Sequence, residues 1–375
     1  MTTWRYINDD NVTASAGLAA DEVLANRAGD GASLPTLRLY TYKSHCALVG
    51  RFQTIENELN LEYCSKNSIP VNRRPTGGGA IIMGQDQLGM ALAIPGESDE
   101  TYARVRERMA RFSQGIITGL ASLGIPMEFR RKNDLEVNGK KIAGLGLHKT
   151  SSGGLLFHAS LLVGLDVPFM LNVLKTPFEK ISDKEISTVS ERTTTVRKET
   201  NQELTISEVR KMILSGYRKA FQVDIQSGDY AKAELDEMSQ LEKGKYRDND
   251  WIFQTTDVPD ATGKAKVKTS GGLLDVRVVL AGKMIKSVYI GGDFFTSEYA
   301  IADLEQSLRW HSSHENSVSE TLSKVYERWS HDLANLSMDS LLKAINSAIQ
   351  KAALSAQKVS VDPYGCFINP LGVHV

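Results

Sequence analysis

Two hydrophobic periods divide the chain. Apolar residues alternating with polar ones, or running unbroken over a few positions, predict strands; apolar residues every third or fourth position predict helices. Trp4-Arg5-Tyr6-Ile7 reads as a short strand. Thr13 is placed to cap a helix to about Arg27, with Leu18, Ala19, Val23 and Leu24 on its apolar side. Leu37 to Tyr42 alternates, and Ala47 to Gln53 reads as a second strand ending in a polar turn. Glu56 to Lys66 is helical in composition, and Leu88 to Ile94 is a strand closed by Pro95. From Thr101 to Leu123, Val105, Met109, Phe112, Ile116 and Leu120 recur at helical spacing, predicting one long helix. Asn138-Gly139 between two short apolar runs signals a tight hairpin. Leu155 to Val163 has the apolar density of a buried strand, and Ile206 to Phe221 is amphipathic.

Residues 229–249 are dense in Lys, Glu, Gln and Asp and are expected to link two domains, 1–228 and 250–350. In the second, 264–268, 273–280 and 284–290 read as antiparallel strands, followed by helices at 301–308, 318–328 and 337–351. Residues 351–375 read as a loose tail. Two domains suit a chain of 375 residues. A formal net charge of −1 supplies no global field toward nucleic acid or membrane, so a charge-based site must be local. Arg104 to Arg111 therefore reads as a solvated helix face before a nucleic-acid site. Three cysteines without metal-like spacing suit a reducing compartment, and with no signal-like N-terminus or membrane-length run the expected address is the cytoplasm.

Three stretches carry candidate chemistry. The first is Arg73-Arg74-Pro75-Thr76-Gly77-Gly78-Gly79, running into the apolar Ala80-Ile81-Ile82. Consecutive glycines cost conformational entropy and pack nothing, which points to backbone contact with a ligand, and adjacent guanidiniums point to an anion. The plainer alternative is a flexible turn beside solvated arginines. The second stretch is Asn133-Asp134-Leu135-Glu136-Val137-Asn138-Gly139-Lys140-Lys141-Ile142-Ala143-Gly144. A lysine beside Ala and Gly can lie along a sheet and aim its ammonium at an oxyanion, and a carboxylate across the hairpin can hold magnesium or a ribose. An exposed hairpin with solvated lysines is the alternative. The third is His158 in an apolar strand, where a satisfied core histidine is the commoner outcome and zinc is disfavoured for want of nearby ligands.

Taken together, these segments resemble the lipoate–protein ligase A family, within the biotin and lipoate ligase superfamily, over most of the chain. Leu18 to Leu24 resembles the family's N-terminal helix, Val49-Gly50-Arg51-Phe52-Gln53 its V-I-G-R-x-Q, and Arg73 to Gly79 its R-R-x-[ST]-G-G-G. Asn133-Asp134-Leu135 resembles N-D-L, Lys141 to Gly144 resembles K-[VIF]-[SA]-G, and His158 to Leu162 resembles H-[GA]-[ST]-L-L. Thr188 to Arg192 resembles S-V-x-x-[RL]. Where family members often read H-D-x-G-N, this chain reads Met83-Gly84-Gln85-Asp86-Gln87-Leu88-Gly89.

The resemblance implies an α+β fold: a large catalytic domain with a mixed sheet flanked by helices, and a small C-terminal α/β domain. It implies ATP-dependent activation of lipoate to lipoyl-AMP, with magnesium, and transfer to a lysine of an apo lipoyl-domain protein: an H protein, a 2-oxoacid dehydrogenase subunit or a specialised carrier. By it, Lys141 bridges the acyl carbonyl and phosphate, and Asp134 sits near phosphate and magnesium beside Asn133. Arg73 and Arg74 neutralise phosphate, and Thr76 to Gly79 and Gly144 close on the acyl-adenylate. His158, Ala159 and Ser160 receive the adenosine. Leu48, Val49, Ile81 and Leu145 are the expected tunnel lining. A monomer is expected. The rivals are an octanoyl or lipoyl transferase working without ATP, one kind of which uses a cysteine near Arg131 to Asp134 that this chain lacks, and a non-catalytic lipoate-binding regulatory module.

Overall fold

The computed structural model describes residues 2–96, 102–130, 133–175, 190–254 and 262–360, with backbone alone for 356–360. They form two compact units: one holds the described residues up to 254 together with Asp293–Ser297, the other holds 262–292 and 298–360. The fold class is the expected α+β.

The strands of the first unit are β1 (Thr3–Val12), β2 (Thr36–Tyr42), β3 (Cys46–Val49), β4 (Val71–Arg73), β5 (Ile81–Met83), β6 (Gln87–Pro95), β7 (Met127–Arg130), β8 (Asp134–Val137), β9 (Lys140–Lys149), β10 (Gly154–Leu162) and β11 (Asp224–Ser227). Eight of them make one mixed sheet in the order β11-β1-β2-β6-β10-β9-β8-β7, and β4-β3-β5 make a smaller one. Side-chain alternation splits the large sheet into two faces. Leu155, Phe157, Ala159 and Leu161 of β10 join Leu88, Met90 and Leu92 of β6 in a core with Met109, Phe112, Ile116 and Tyr217. On the opposite face Leu156, Ala91 and Ala93 pack with helix α1 (Ala14–Gly29) and Tyr40 and Tyr42 of β2. Thr13 caps α1 as predicted, its hydroxyl accepting from the Ala16 amide at 3.3 Å.

The single helix expected from Thr101 is two, Val105–Phe112 and Gln114–Ala121; Thr101 itself lies outside the described residues. Between them the Ser113 hydroxyl turns back onto the Ala110 carbonyl at 3.0 Å, a local bond that competes with the helix ladder. Residues 229–249, expected as a linker, are folded into the first unit as a helix, Lys232–Leu241, and a π-helical turn, Glu242–Tyr246. Two of their charges are taken up by distant partners in the first unit. Glu234, fully buried, receives Arg5 at 2.6 Å, and Lys245 reaches Glu22 at 2.8 Å.

The second unit is the antiparallel sheet β12 (Thr262–Lys268), β13 (Leu273–Ala281) and β14 (Met284–Gly292), with helices Glu298–Leu308, Glu315–Arg328 and Met338–Ser360. The last helix continues through residues expected as tail; 361–375 lie outside the described residues. Among the described residues no helix is long and apolar enough to cross a membrane.

Candidate active site

The hairpin β8–β9 turns at Asn138 and Gly139, both at positive φ (50° and 77°), as an Asn-Gly turn requires. Pairing then slips: Glu136 faces Lys141, whereas Leu135 faces Ala143, leaving Ile142 as an extra residue. Ile142 and Ala143 consequently both enter the core. This bulge moves Lys141 to the sheet face that carries Gly144 and Gly146; unbroken alternation would have turned it to the other side. The backbone of Lys141 is pinned by the Thr194 amide, which donates to its carbonyl at 2.8 Å.

Lys141 meets Asp134 at 2.7 Å (Nζ to Oδ1), an ion pair outside aligned hydrogen-bond geometry. Its side chain is 36% exposed, so the pair adds little stability, on the order of 0–1 kcal/mol. Gly144 makes room for it: a methyl there would stand 3.2 Å from Lys141 Nζ and 3.3 Å from Ser160 Oγ. Gly146 does the same for Thr76, whose side chain would lie 3.0 Å from a methyl. Both glycines belong to the floor of a cavity of about 240 Å³ on the α1 face of the sheet. Lys141, Asp134, Asn133, Ser160 and Asp293 also line it, as do the apolar Leu18, Leu48, Ile81, Met83 and Leu145.

Ten of the thirteen expected site residues line this cavity: Lys141, Asp134, Arg74, Thr76, Gly79, Asn133, Gly144, His158, Ala159 and Ser160. Gly77 and Gly78 do not line it but shape its roof. A methyl on Gly77 would stand 2.2 Å from the Phe294 carbonyl oxygen, and Gly78 sits at φ 95° with Arg74 and Asn133 beside it. Arg73 turns away. Its guanidinium is buried and donates to the carbonyls of Gly50, Arg51 and Gln53 (3.0, 3.1 and 2.6 Å) and of Trp251 and Ile252. Burial, with Arg51 nearby, pushes it down to about 9. Arg74 is likewise spent on the carbonyls of Leu48, Gly77 and Gly79 and on the Thr76 hydroxyl. Burial pushes it to about 10. Both arginines, expected to neutralise phosphate, thus brace the glycine loop through backbone carbonyls; Arg74 also lines the cavity, and Arg73 keeps one buried guanidinium nitrogen unpaired. Of the expected tunnel residues, Leu48, Ile81 and Leu145 line the cavity, whereas Val49, next on β3, faces a separate core with Ile55 and Cys64.

His158 is tied into a network that sequence reasoning missed. Its Nε2 lies 2.8 Å from Asp21 Oδ2, and its Nδ1 lies 3.4 Å from the Thr76 hydroxyl. Asp21 also receives Arg38 at 2.7 Å and the Tyr40 hydroxyl at 3.2 Å, and Arg38 reaches on to Asp9 at 2.7 Å. Burial alone would push the Asp21 carboxyl up; Arg38 and His158 outweigh it and hold the group below the usual carboxylate range. The signal available was an acid on the apolar side of α1, between Leu18 and Leu24. Where the family histidine is absent, Met83 lines the cavity and the ring of His45 fills the space beside Gly84. Thr188 and Val189 lie outside the described residues.

Asp134, expected to hold magnesium, is occupied by Lys141, and among the described residues no cluster of three or more His, Cys, Asp or Glu forms. Asp293 is the other carboxylate on the cavity wall, so magnesium fits here only through one or two carboxylates, with substrate phosphates completing its shell. Cys46 and Cys64 are buried away from the cavity lining, and burial pushes the Cys46 thiol far up, away from the reactive thiolate.

Comparison with known proteins agrees with this geometry. The octanoyltransferase LipM of Halalkalibacterium halodurans is 25% identical over 277 residues, covering 68% of this chain and all of that protein. A solved bi-partite lipoate protein ligase of Thermoplasma acidophilum, studied with its E2 lipoyl domain, is 26% identical with a TM-score of 0.61, covering 69% of this chain and 99% of its own. LipL1 of P. falciparum, solved with lipoate, shares the fold at 18% identity and a TM-score of 0.67, over 87% of this chain and 98% of its own. The model of the lipoyl protein ligase A/B catalytic domain matches residues 13–218, the stretch that builds the cavity and its lysine, and the chain belongs to that family, as an enzyme of the lipoate ligase and transferase superfamily.

Proposed function

We propose that the protein transfers a medium-chain acyl group, octanoyl or lipoyl, from a thioester donor to the ε-amine of a lysine on a lipoyl-domain protein. The observation that carries this reading is a lysine ammonium, bulge-aimed and held by a carboxylate, in a cavity whose wall combines polar groups with the apolar Leu18, Leu48, Ile81, Met83 and Leu145. The acyl chain lies along the floor with its carbonyl beside Lys141. The neutral acceptor amine attacks that carbonyl; the C–N bond forms, the C–S bond breaks, and the thiol leaves with the proton the amine gives up. Negative charge grows on the carbonyl oxygen, where the ammonium stabilises it. Removing such a preorganised group typically costs about 10²–10³-fold in rate. Asp134 holds the ammonium in place. No thiol lines the cavity among the described residues, so the acyl group passes directly from donor to acceptor. The thioester donor is favoured by the names of the curated relatives and by the use of Arg73 and Arg74 on carbonyls.

A second reading is ATP-dependent lipoate ligation, favoured by the missing cavity thiol and by the neighbour described as a lipoate protein ligase. Magnesium would then be held at Asp134 or Asp293 together with substrate phosphates, neutralising their charge.

The test is to incubate the protein with an apo lipoyl domain and either an octanoyl carrier-protein thioester without ATP, or lipoate with Mg-ATP. Target mass and AMP are followed. Modification without ATP is the expected result. Modification only with ATP, matched by AMP, establishes the second reading. No modification in either arm overturns both.

A further inference from the structure

The cavity wall includes an acidic residue from far along the chain. Asp293 lines it, half-buried, and lies outside residues 13–218, the stretch that the family model matches. It opens the segment Asp293–Ser297, which packs within the first unit. A methyl on Gly78 would meet the Phe295 ring and the Asn133 amide nitrogen, each at 3.3 Å, so this segment and the residue before β8 converge on one glycine. Asp293 is two residues before Phe295, within about 7 Å along the backbone. That brings it to the side of the cavity where Asp134 holds Lys141 at 2.7 Å. The acceptor's lysine arrives there as a cation, its ordinary pKa being about 10.4. Lys141 and Arg74 are already on the wall, and both repel it. Of the two carboxylates on the wall, Asp134 is engaged by Lys141. A carboxylate offers about four acceptor positions, so Asp293 can receive an ammonium in addition to the contacts it makes within the chain.

We propose that Asp293 binds the acceptor, its carboxylate holding the incoming lysine ammonium beside the acyl carbonyl that Lys141 faces. The ammonium passes one proton to water there, and the resulting amine attacks the carbonyl. Asp293 thereby sets a preference for a cationic acceptor side chain over a neutral nucleophile. This rests on the acyl-transfer reading of the site and deepens it.

Acyl transfer by the full-length protein, from whichever of the two donors above it uses, tests this with two acceptors: an apo lipoyl domain, and hydroxylamine, which is neutral at neutral pH. Asp293→Asn keeps the side-chain shape and removes the charge. It is expected to raise the lipoyl-domain concentration that half-saturates transfer about 10- to 100-fold, the range of one hydrogen bond to a charged group. The rate with hydroxylamine and the calorimetric affinity for octanoate should stay unchanged, and Asp293→Glu should recover most of the loss. An unchanged half-saturating concentration overturns the proposal, and so does an equal loss with hydroxylamine. Wild type alone gives a second measure that needs no variant to fold: n-butylammonium should compete with the lipoyl domain about tenfold more strongly than n-butanol. Equal competition also overturns the proposal. Failure of folded wild type to acylate either acceptor with either donor removes the acyl-transfer reading itself.

Discussion

Replacing Gly144 by Ala should separate stability from chemistry at this site. The added methyl would meet Lys141 Nζ at 3.2 Å, Ser160 Oγ at 3.3 Å and Lys141 Cε at 3.4 Å. All three atoms belong to side chains, and Gly144 lacks the positive φ that would strain an alanine. The fold therefore accommodates the change by moving the lysine tip a few tenths of an ångström. Alanine also restricts the unfolded chain, worth about 0.4–1 kcal/mol, so stability is expected to hold or rise slightly. The ammonium, however, leaves the position the bulge gives it. Misplacements of about 1 Å can cost about 10²-fold, so this smaller shift should slow transfer about tenfold. Thermal unfolding and single-turnover acylation followed by intact mass give the two readings. An unchanged rate with a preserved melting temperature would refute the claim that Lys141 acts from beside Gly144. Unfolding would refute the claim that the lysine yields.

Lys141→Ala should lower single-turnover transfer about 10²–10³-fold while leaving the melting temperature within about 2 °C, because its ion pair is partly exposed and adds little stability; undiminished transfer contradicts its role. Gly77→Ala should destabilise the first unit by about 1–3 kcal/mol in urea unfolding, since the methyl meets the Phe294 backbone at 2.2 Å and not a movable side chain. Asp21→Asn strips Arg38 of one of two carboxylates and should cost about 3 kcal/mol at neutral pH. Because the folded Asp21 carboxyl is held low, its contribution is complete above the unfolded value near ~3.9 and is lost as pH falls through the lower folded value. The gap between wild type and Asp21→Asn in urea series should thus be flat from neutral down to about pH 5 and narrow below about pH 4; a gap that persists there speaks against the assignment.

Local pattern announced most of the strands and helices, including the Thr13 cap, the Asn-Gly turn and the helix Ile206–Phe221. It also marked the hairpin residues Asn133, Asp134, Lys141 and Gly144 of the cavity, because the hairpin's lysine, carboxylate and glycine requirements are met within a dozen positions, whereas Ala159 and Ser160 were marked only by the family resemblance. The long-range pairings were hidden. Nothing near Asp21 in sequence announces His158 or Arg38, which lie 137 and 17 positions away. The bracing role of Arg73 and Arg74 was hidden for a related reason: a guanidinium is read as an anion ligand, yet its five donors also serve to collect carbonyls where a glycine loop must hold a shape. The charged run at 229–249 looked like a solvated linker since its partners, Arg5 and Glu22, lie at the far end of the chain.

The short return of the chain at Asp293–Ser297 carries a consequence for how the protein is made. Phe294 stacks on Phe52 with centroids 4.9 Å apart and its carbonyl backs Gly77, while Phe295 lies beside Gly78. These contacts complete a loop that leaves the ribosome much earlier. The first unit can assemble its sheet as synthesis proceeds, N-terminal part first. Its roof cannot be finished until the whole of β12–β14 has been synthesised. A nascent or truncated chain ending before Asp293 would therefore expose Phe52 and an unsupported glycine loop, so the acyl cavity would be among the last features of the molecule to mature.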